Sequence, residues 1–178
     1  FVSSLLGQTG DTEAALTYAE RAVSHSPDKQ QILFQLGIMQ IQSGDTQAAL
    51  QTFDRALRLA PEYDLARIMY AGAHYYAGDI AAGDAVLRDG FNDVIVDNDQ
   101  LLRTYLNIKL YDRAAAIWRL RIDKDPQNVD HYARLAAVYL QAKDKVRAIA
   151  VLREVLAVNP SIAAQVEHES LHAILGHR

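Results

Sequence analysis

Four prolines, Pro27, Pro61, Pro126 and Pro160, divide the chain at intervals of 34, 65 and 34 residues, and the middle interval is one spacing of 34 and one of 31. Glycine keeps the same beat independently: Gly10, Gly44 and Gly78 stand 34 residues apart, each followed by Asp. A fixed period of this length means that one supersecondary unit is stacked on copies of itself, because a single unit cannot bury its apolar face alone. That beat excludes most globular topologies.

Between Pro27 and Pro61 the chain reads Leu36, Gly37, Gly44, Asp45, Ala49, Phe53 and Ala56, with apolar residues three and four apart on both sides of Gly44. The spacing predicts two amphipathic helices joined by a tight turn. Gly37 and Ala49 are small enough to let the paired helices approach, Ala56 admits the first helix of the next unit, and Phe53 fills the space between them. Gly44 and Asp45 read as a helix terminator followed by an N-cap. Turns are predicted at Gly10, Gly44 and Gly78, near Lys109 and near Lys143. Each proline closes a unit, since it pushes the preceding residue out of the helical region while its own ring suits a helix start.

On these residues the chain resembles the tetratricopeptide repeat family over nearly its whole length. The resemblance divides it into a partial repeat at 1–27, repeats at 28–61, 62–94, 95–126 and 127–160, and a capping helix at 161–178. It implies an all-α fold, a right-handed α-α superhelix or solenoid. The third repeat carries Gly83 and Gly90 where alanine is usual, and the fourth carries Arg121 where a small residue is expected. Three residues are missing between Gly90 and Asp97. The second helix of the third repeat is therefore expected to end near Asp89, with Asp97 as the next N-cap and any strand confined to Val94–Val96. A long cation at a close-packed position needs an acid, so Arg121 is expected to pair with Asp97 or Asp99.

Composition bounds the function. Half of the 178 residues are apolar and 22% are charged, the profile of a folded globular protein. The net charge of -4 argues against wholesale coating of nucleic acid. Residues 1–89 carry 6 bases and 11 acids while residues 90–178 carry 12 and 11, so the basic side chains gather in the fourth and fifth repeats. They read as a solvated outer face. Cysteine is absent, which removes disulfides and thiolate chemistry and fits any compartment. No apolar run approaches the roughly 18 residues of a membrane span. The chain begins at Phe1 and its first methionine is Met39, so it reads as a piece of a longer protein.

His168, Glu169 and His172 match the pattern H-E-x-x-H, which on a helix puts two imidazoles on one face and a carboxylate beside them to activate water. His177 follows the second histidine by five residues, not the six of the extended zinc-protease form, and no segment resembles the sheet that shapes such a site. These side chains are read as solvated residues of the capping helix. There is no phosphate-binding glycine loop and no G-x-S-x-G elbow. No catalytic residue, metal or cofactor is assigned, and the chain is expected not to be an enzyme.

The resemblance implies a protein or peptide partner, with no nucleic acid and no direct membrane insertion of this segment. In the family, the first helix of each repeat lines a concave groove. Carried over position by position, the partner-binding residues are Phe34, Ile38, Ile41, Ile68, Tyr75, Tyr76, Arg103 and Asn107. The family's carboxylate clamp needs Lys and Asn at two groove positions that here hold Phe34 and Ile38, Ile68 and Gly72, Asp99 and Arg103, and Ala133 and Ala137. Chaperone-tail binding is therefore disfavoured. Arg103 is expected to orient an acidic group of the partner unless Asp99, four residues earlier, holds it as a helical ion pair. A wider resemblance runs over residues 80–165, through Val96-Asp97-Asn98-Asp99, the Trp118 helix and Val138-Tyr139-Leu140, to the repeat tails of bacterial membrane proteins of the O-antigen ligase and polymerase type. It implies a regulatory or substrate-presenting tail on a membrane-anchored parent glycosyltransferase.

Overall fold

The computed structural model of the chain describes residues 12–158 and residue 160. The described residues form nine α-helices and no strand: α1 (Thr12–His25), α2 (Gln30–Gln42), α3 (Thr46–Leu59), α4 (Asp64–Tyr76), α5 (Ile80–Phe91), α6 (Asp99–Asn107), α7 (Tyr111–Lys124), α8 (Val129–Gln141) and α9 (Lys145–Val158). The chain divides into two compact units, residues 1–94 with α1 to α5 and residues 95–178 with α6 to α9. Within each unit every helix packs on the next in sequence, and in the first unit α2 also touches α4. The Gly10 turn and the 161–178 helix lie outside the described residues.

The turns inside the helix pairs share one hydrogen-bond pattern. Gly44 and Gly78 take φ of +86° and +84°, and Lys109 and Lys143 occupy the equivalent positions at +63° and +61°. Asp45 N–H donates to Gln40 carbonyl, Asp79 to His74, Leu110 to Tyr105 and Asp144 to Tyr139, all at 2.8–2.9 Å. With the bonds from Gly44 to Ile41 and from Lys109 to Leu106, each 3.1 Å, this is the left-handed Schellman stop. Asp45 and Asp79 then cap α3 and α5 by accepting from Ala48 and Ala82 N–H at 2.9 Å. Leu110, at the same point of the fourth repeat, cannot cap, and α7 starts without a side-chain partner.

Small residues set the packing. Leu33, Phe34, Ala49, Phe53, Ala56, Ala66, Met69 and Ala73 form a core between α2, α3 and α4, and a second cluster of Ala15, Ala19, Leu36 and Met39 joins α1 to α2. The Phe53 ring lies where a Cβ on Gly37 would be, so the glycine is what lets α2 and α3 close on the ring. At Gly90 the space is taken by the Arg67 side chain, which donates to Asp89 at 2.6 Å.

The shortening at the junction of the third and fourth repeats falls in the helices on either side of it. α6 has 9 residues where α2, α4 and α8 have 13, and α5 has 12 where α3 has 14. α5 runs two residues past Asp89 and stops at Phe91, with Asn92 at φ 58° donating its N–H to the Arg88 carbonyl at 3.0 Å. Asn tolerates the left-handed region better than most residues, which makes it a workable terminator there. Asn98, not Asp97, caps α6, accepting from Gln100 and Leu101 N–H at 2.8 and 3.2 Å. Asp97 is one residue too early and is used differently.

Candidate partner-binding surface

In the first unit, α2 reads QQILFQLGIMQIQ and carries no charged side chain. Its exposed positions are Gln31 and Gln42, and Ile38 and Ile41 are half-buried against the core. A helix that meets solvent normally shows charge there, so an amide and aliphatic surface marks this face as different. On α4, which touches α2, Leu65 and Tyr76 are half-buried, and the guanidinium of Arg67 is occupied by Asp89 and by the Pro61 carbonyl at 3.4 Å. The joint surface of α2 and α4 is mostly neutral, apolar and hydrogen-bonding.

The eight residues placed on the groove by resemblance fall into two groups. Ile38, Ile41 and Tyr76 are half-buried on the first unit, and Arg103 and Asn107 are exposed on the second. Phe34, Ile68 and Tyr75 are core, at 7%, 2% and 2% exposure, which corrects their expected place in an open groove. Phe34 is covered by the Tyr63 ring, with centroids 6.0 Å apart. Ile68 lies on a helix whose buried Ala66, Ala71, Gly72 and Ala73 let its neighbours come close. Tyr75 crosses Gly83, where an added Cβ would sit 2.6 Å from its ring, and donates its hydroxyl to the buried Asp84 at 2.8 Å. The sequence signal for that last contact is the glycine where alanine is usual.

Two open cavities of about 350 and 300 Å³ flank α3. Their charged walls are engaged in pairs, Asp54 with Arg58 and Arg55 with Asp28. Burial holds the His74 imidazole at the edge of the second below the ordinary histidine range, against a smaller opposing pull from Asp79.

In the second unit the expected basic face is largely neutralised. Arg119 donates to both oxygens of Glu154 at 2.7 and 2.8 Å, Arg134 to Asp130 at 2.5 Å, and Arg147 to Asp144 and Asp112 at 2.5 and 2.7 Å. Arg121 takes both acids foreseen for it, Asp97 through Nε and Asp99 through Nη2, each at 2.7 Å, and its guanidinium lies 4.6 Å from the Trp118 ring centroid. Lys124 also donates to Asp97 at 2.7 Å. The Lys124 hydrogen bond, opposed by burial and aided by Arg121, holds the Asp97 carboxyl below the ordinary aspartate range. Burial pulls the Arg121 guanidinium down, but its hydrogen bonds to the two acids outweigh this and raise it. Among the described residues no group of three or more His, Asp or Glu side chains is arranged to hold a metal ion, and no helix is long and apolar enough to cross a membrane. His168, Glu169 and His172 lie outside the described residues.

Two family models described as tetratricopeptide repeat match the chain, one over residues 3–64 and again over 101–162, the other over residues 40–93. The chain belongs to the tetratricopeptide repeat family. Its fold class is the all-α tetratricopeptide solenoid, a fold that generally serves as a non-catalytic scaffold for protein interactions. Similar solved structures include a thermophilic tetratricopeptide protein of Thermus thermophilus, 20% identical with a TM-score of 0.61, covering 98% of this chain and 96% of the other. A tetratricopeptide repeat protein from Parabacteroides merdae is 18% identical at a TM-score of 0.59, covering 87% of this chain and 62% of the other. MamA from Desulfovibrio magneticus is 21% identical at 0.54, covering 90% and 92%. At these identities the likeness is one of fold. No curated protein sequence matches the chain.

Proposed function

We propose that the chain is a non-catalytic interaction module whose first unit receives a peptide or protein segment on the joint face of α2 and α4. The observation that carries this reading is the absence of any charged side chain along α2, combined with half-buried Ile38 and Ile41 and exposed glutamines. Such a face gains by burying apolar partner side chains, at about 25 cal/mol per Å² removed from water, while its amides satisfy a partner backbone. Ile38, Ile41, Leu65 and Tyr76 are the residues assigned to contact. Ile38, Ile41 and Leu65 rest on the core cluster that contains Phe34.

Recognition of this kind is insensitive to ionic strength, because exposed charges are screened by salt and apolar contacts are not. Peptides selected from a random display library on the full chain, and titrated between about 0.05 and 0.5 M salt, should bind α2 and α4 with affinities that change less than about threefold. A loss of tenfold or more across that range would place recognition on charged side chains elsewhere.

A further inference from the structure

Tyr70 stands on α4 where the repeat spacing puts Leu36, Leu101 and Leu135 on the other first helices, and those leucines are core, at 8%, 0% and 0% exposure. Tyr70 is half-buried: one side packs on the core of the first unit and the other lines the 300 Å³ cavity beside α3. One turn on, His74 holds the position of Gln40, Tyr105 and Tyr139. Each of those three is met by the second helix of its own repeat. Thr52 donates to Gln40 at 2.8 Å, and the Arg113 and Arg147 guanidinium groups lie 5.6 and 4.6 Å from the Tyr105 and Tyr139 ring centroids. In the third repeat the residue in register with Arg113 and Arg147 is Ala82, whose methyl group cannot reach across. His74 meets the Tyr70 ring edge-on instead, with centroids 4.7 Å apart, and its imidazole makes no hydrogen bond among the described residues.

Half-buried Leu50 and the amides of Gln47 and Gln51 complete the cavity from α3. Neither amide nor the Tyr70 hydroxyl is hydrogen-bonded to another described side chain or backbone group. Asp54 and Arg58 on the same wall neutralise each other. Burial lowers the His74 pKa against a smaller opposing pull from Asp79, so the imidazole is neutral at pH 7 and offers one donor and one acceptor. The cavity is therefore aromatic and without net charge, and its hydrogen-bonding groups are unspent.

We propose that this cavity receives the phenol ring of a partner tyrosine, seated against Tyr70 and Leu50, with its hydroxyl donating to the His74 imidazole and accepting from a Gln47 or Gln51 amide. A charged side chain would leave water for a site with no opposite charge to spare, and an aliphatic one would leave the polar groups unpaired. A ring adds edge or offset contact with Tyr70. At about 100° per residue, Tyr70 and His74 lie on the side of α4 turned away from Leu65 and Tyr76. The inference rests on the interaction-module reading but not on the α2 and α4 face.

The test is an NMR titration of the full chain with N-acetyl-tyrosinamide, N-acetyl-phenylalaninamide and N-acetyl-leucinamide, read on the His74 ring and on the Gln47 and Gln51 side-chain amides. The tyrosine amide should shift these resonances and bind tighter than either of the others by about threefold or more. Tyr70→Leu restores the residue of the other repeats and should abolish the preference over the leucine amide. Ala82→Arg supplies the cation that Arg113 and Arg147 give their own repeats, and by covering His74 it should abolish the preference for the tyrosine amide even if Tyr70→Leu fails to fold. Equal binding of the tyrosine amide and either other amide, shifts at Ile41 and Tyr76 in place of His74, or a preference that survives in either folded variant would overturn the proposal. Resonances of Ile41 and Tyr76 report the α2 and α4 face in the same titration, so a failure at His74 leaves that reading standing.

Discussion

The Tyr75 hydroxyl donates across 2.8 Å to the carboxylate of Asp84, both groups buried, and the ring gets there only because residue 83 is glycine. A tyrosine set by resemblance on a binding groove is thus a core residue that satisfies a buried acid. Leaving a buried charged acceptor without one of its hydrogen bonds costs about 1–3 kcal/mol. Tyr75→Phe should therefore lower unfolding free energy by that amount in urea titration while leaving peptide affinity within about twofold. Lost affinity with unchanged stability would put Tyr75 back on the binding face.

Gly83→Ala separates the steric part of the same relationship. In an unobstructed helix interior this change stabilises by about 0.5–1 kcal/mol. Here the new Cβ meets the Tyr75 ring at 2.6 Å, and overpacking of that kind costs about 1–3 kcal/mol. Net destabilisation is expected by the same urea titration.

Lys109 and Lys143 hold the left-handed turn positions that Gly44 and Gly78 fill in other repeats. Left-handed φ costs an L-residue about 1–2 kcal/mol, partly offset by the greater freedom glycine has when unfolded. Lys109→Gly and Lys143→Gly should each stabilise by about 0.5–1 kcal/mol, measured as a raised thermal midpoint.

Much of this is legible in the sequence. The 34-residue beat of Pro and Gly-Asp gave the helix pairs and their turns, because prolines and left-handed glycines act locally. Arg121 was legible as a misfit, and the acids within reach were few enough to name both of its partners. What sequence could not supply was the depth of the first-helix side chains. Phe34, Ile41 and Tyr75 look alike in a periodic pattern, and only the close approach allowed by Gly37, Gly83 and the alanines of α4 decides which become core. The cap lies at Asn98, one residue after the expected Asp97, for a related reason: both residue types cap well, and Arg121 and Lys124 claim Asp97.

The Asp97 network predicts a pH dependence with a definite sign. Folding lowers the Asp97 pKa, so the stability it contributes is present above the ordinary aspartate range and lost as pH falls through the depressed value, below about pH 4. Asp97→Asn should be less stable than the parent at neutral pH and lose less stability on acidification to about pH 2, followed by denaturant unfolding at each pH.

The central claim, that the neutral face of α2 and α4 meets the partner, is tested most directly by one pair of substitutions. Ile41→Ala with Tyr76→Ala removes two half-buried side chains, and truncating interface anchors costs about 2 kcal/mol or more of binding. Isothermal titration calorimetry of library-selected peptides against the folded double variant should show Kd raised by about thirtyfold or more. An unchanged Kd in a chain that retains its helical circular dichroism would contradict the account.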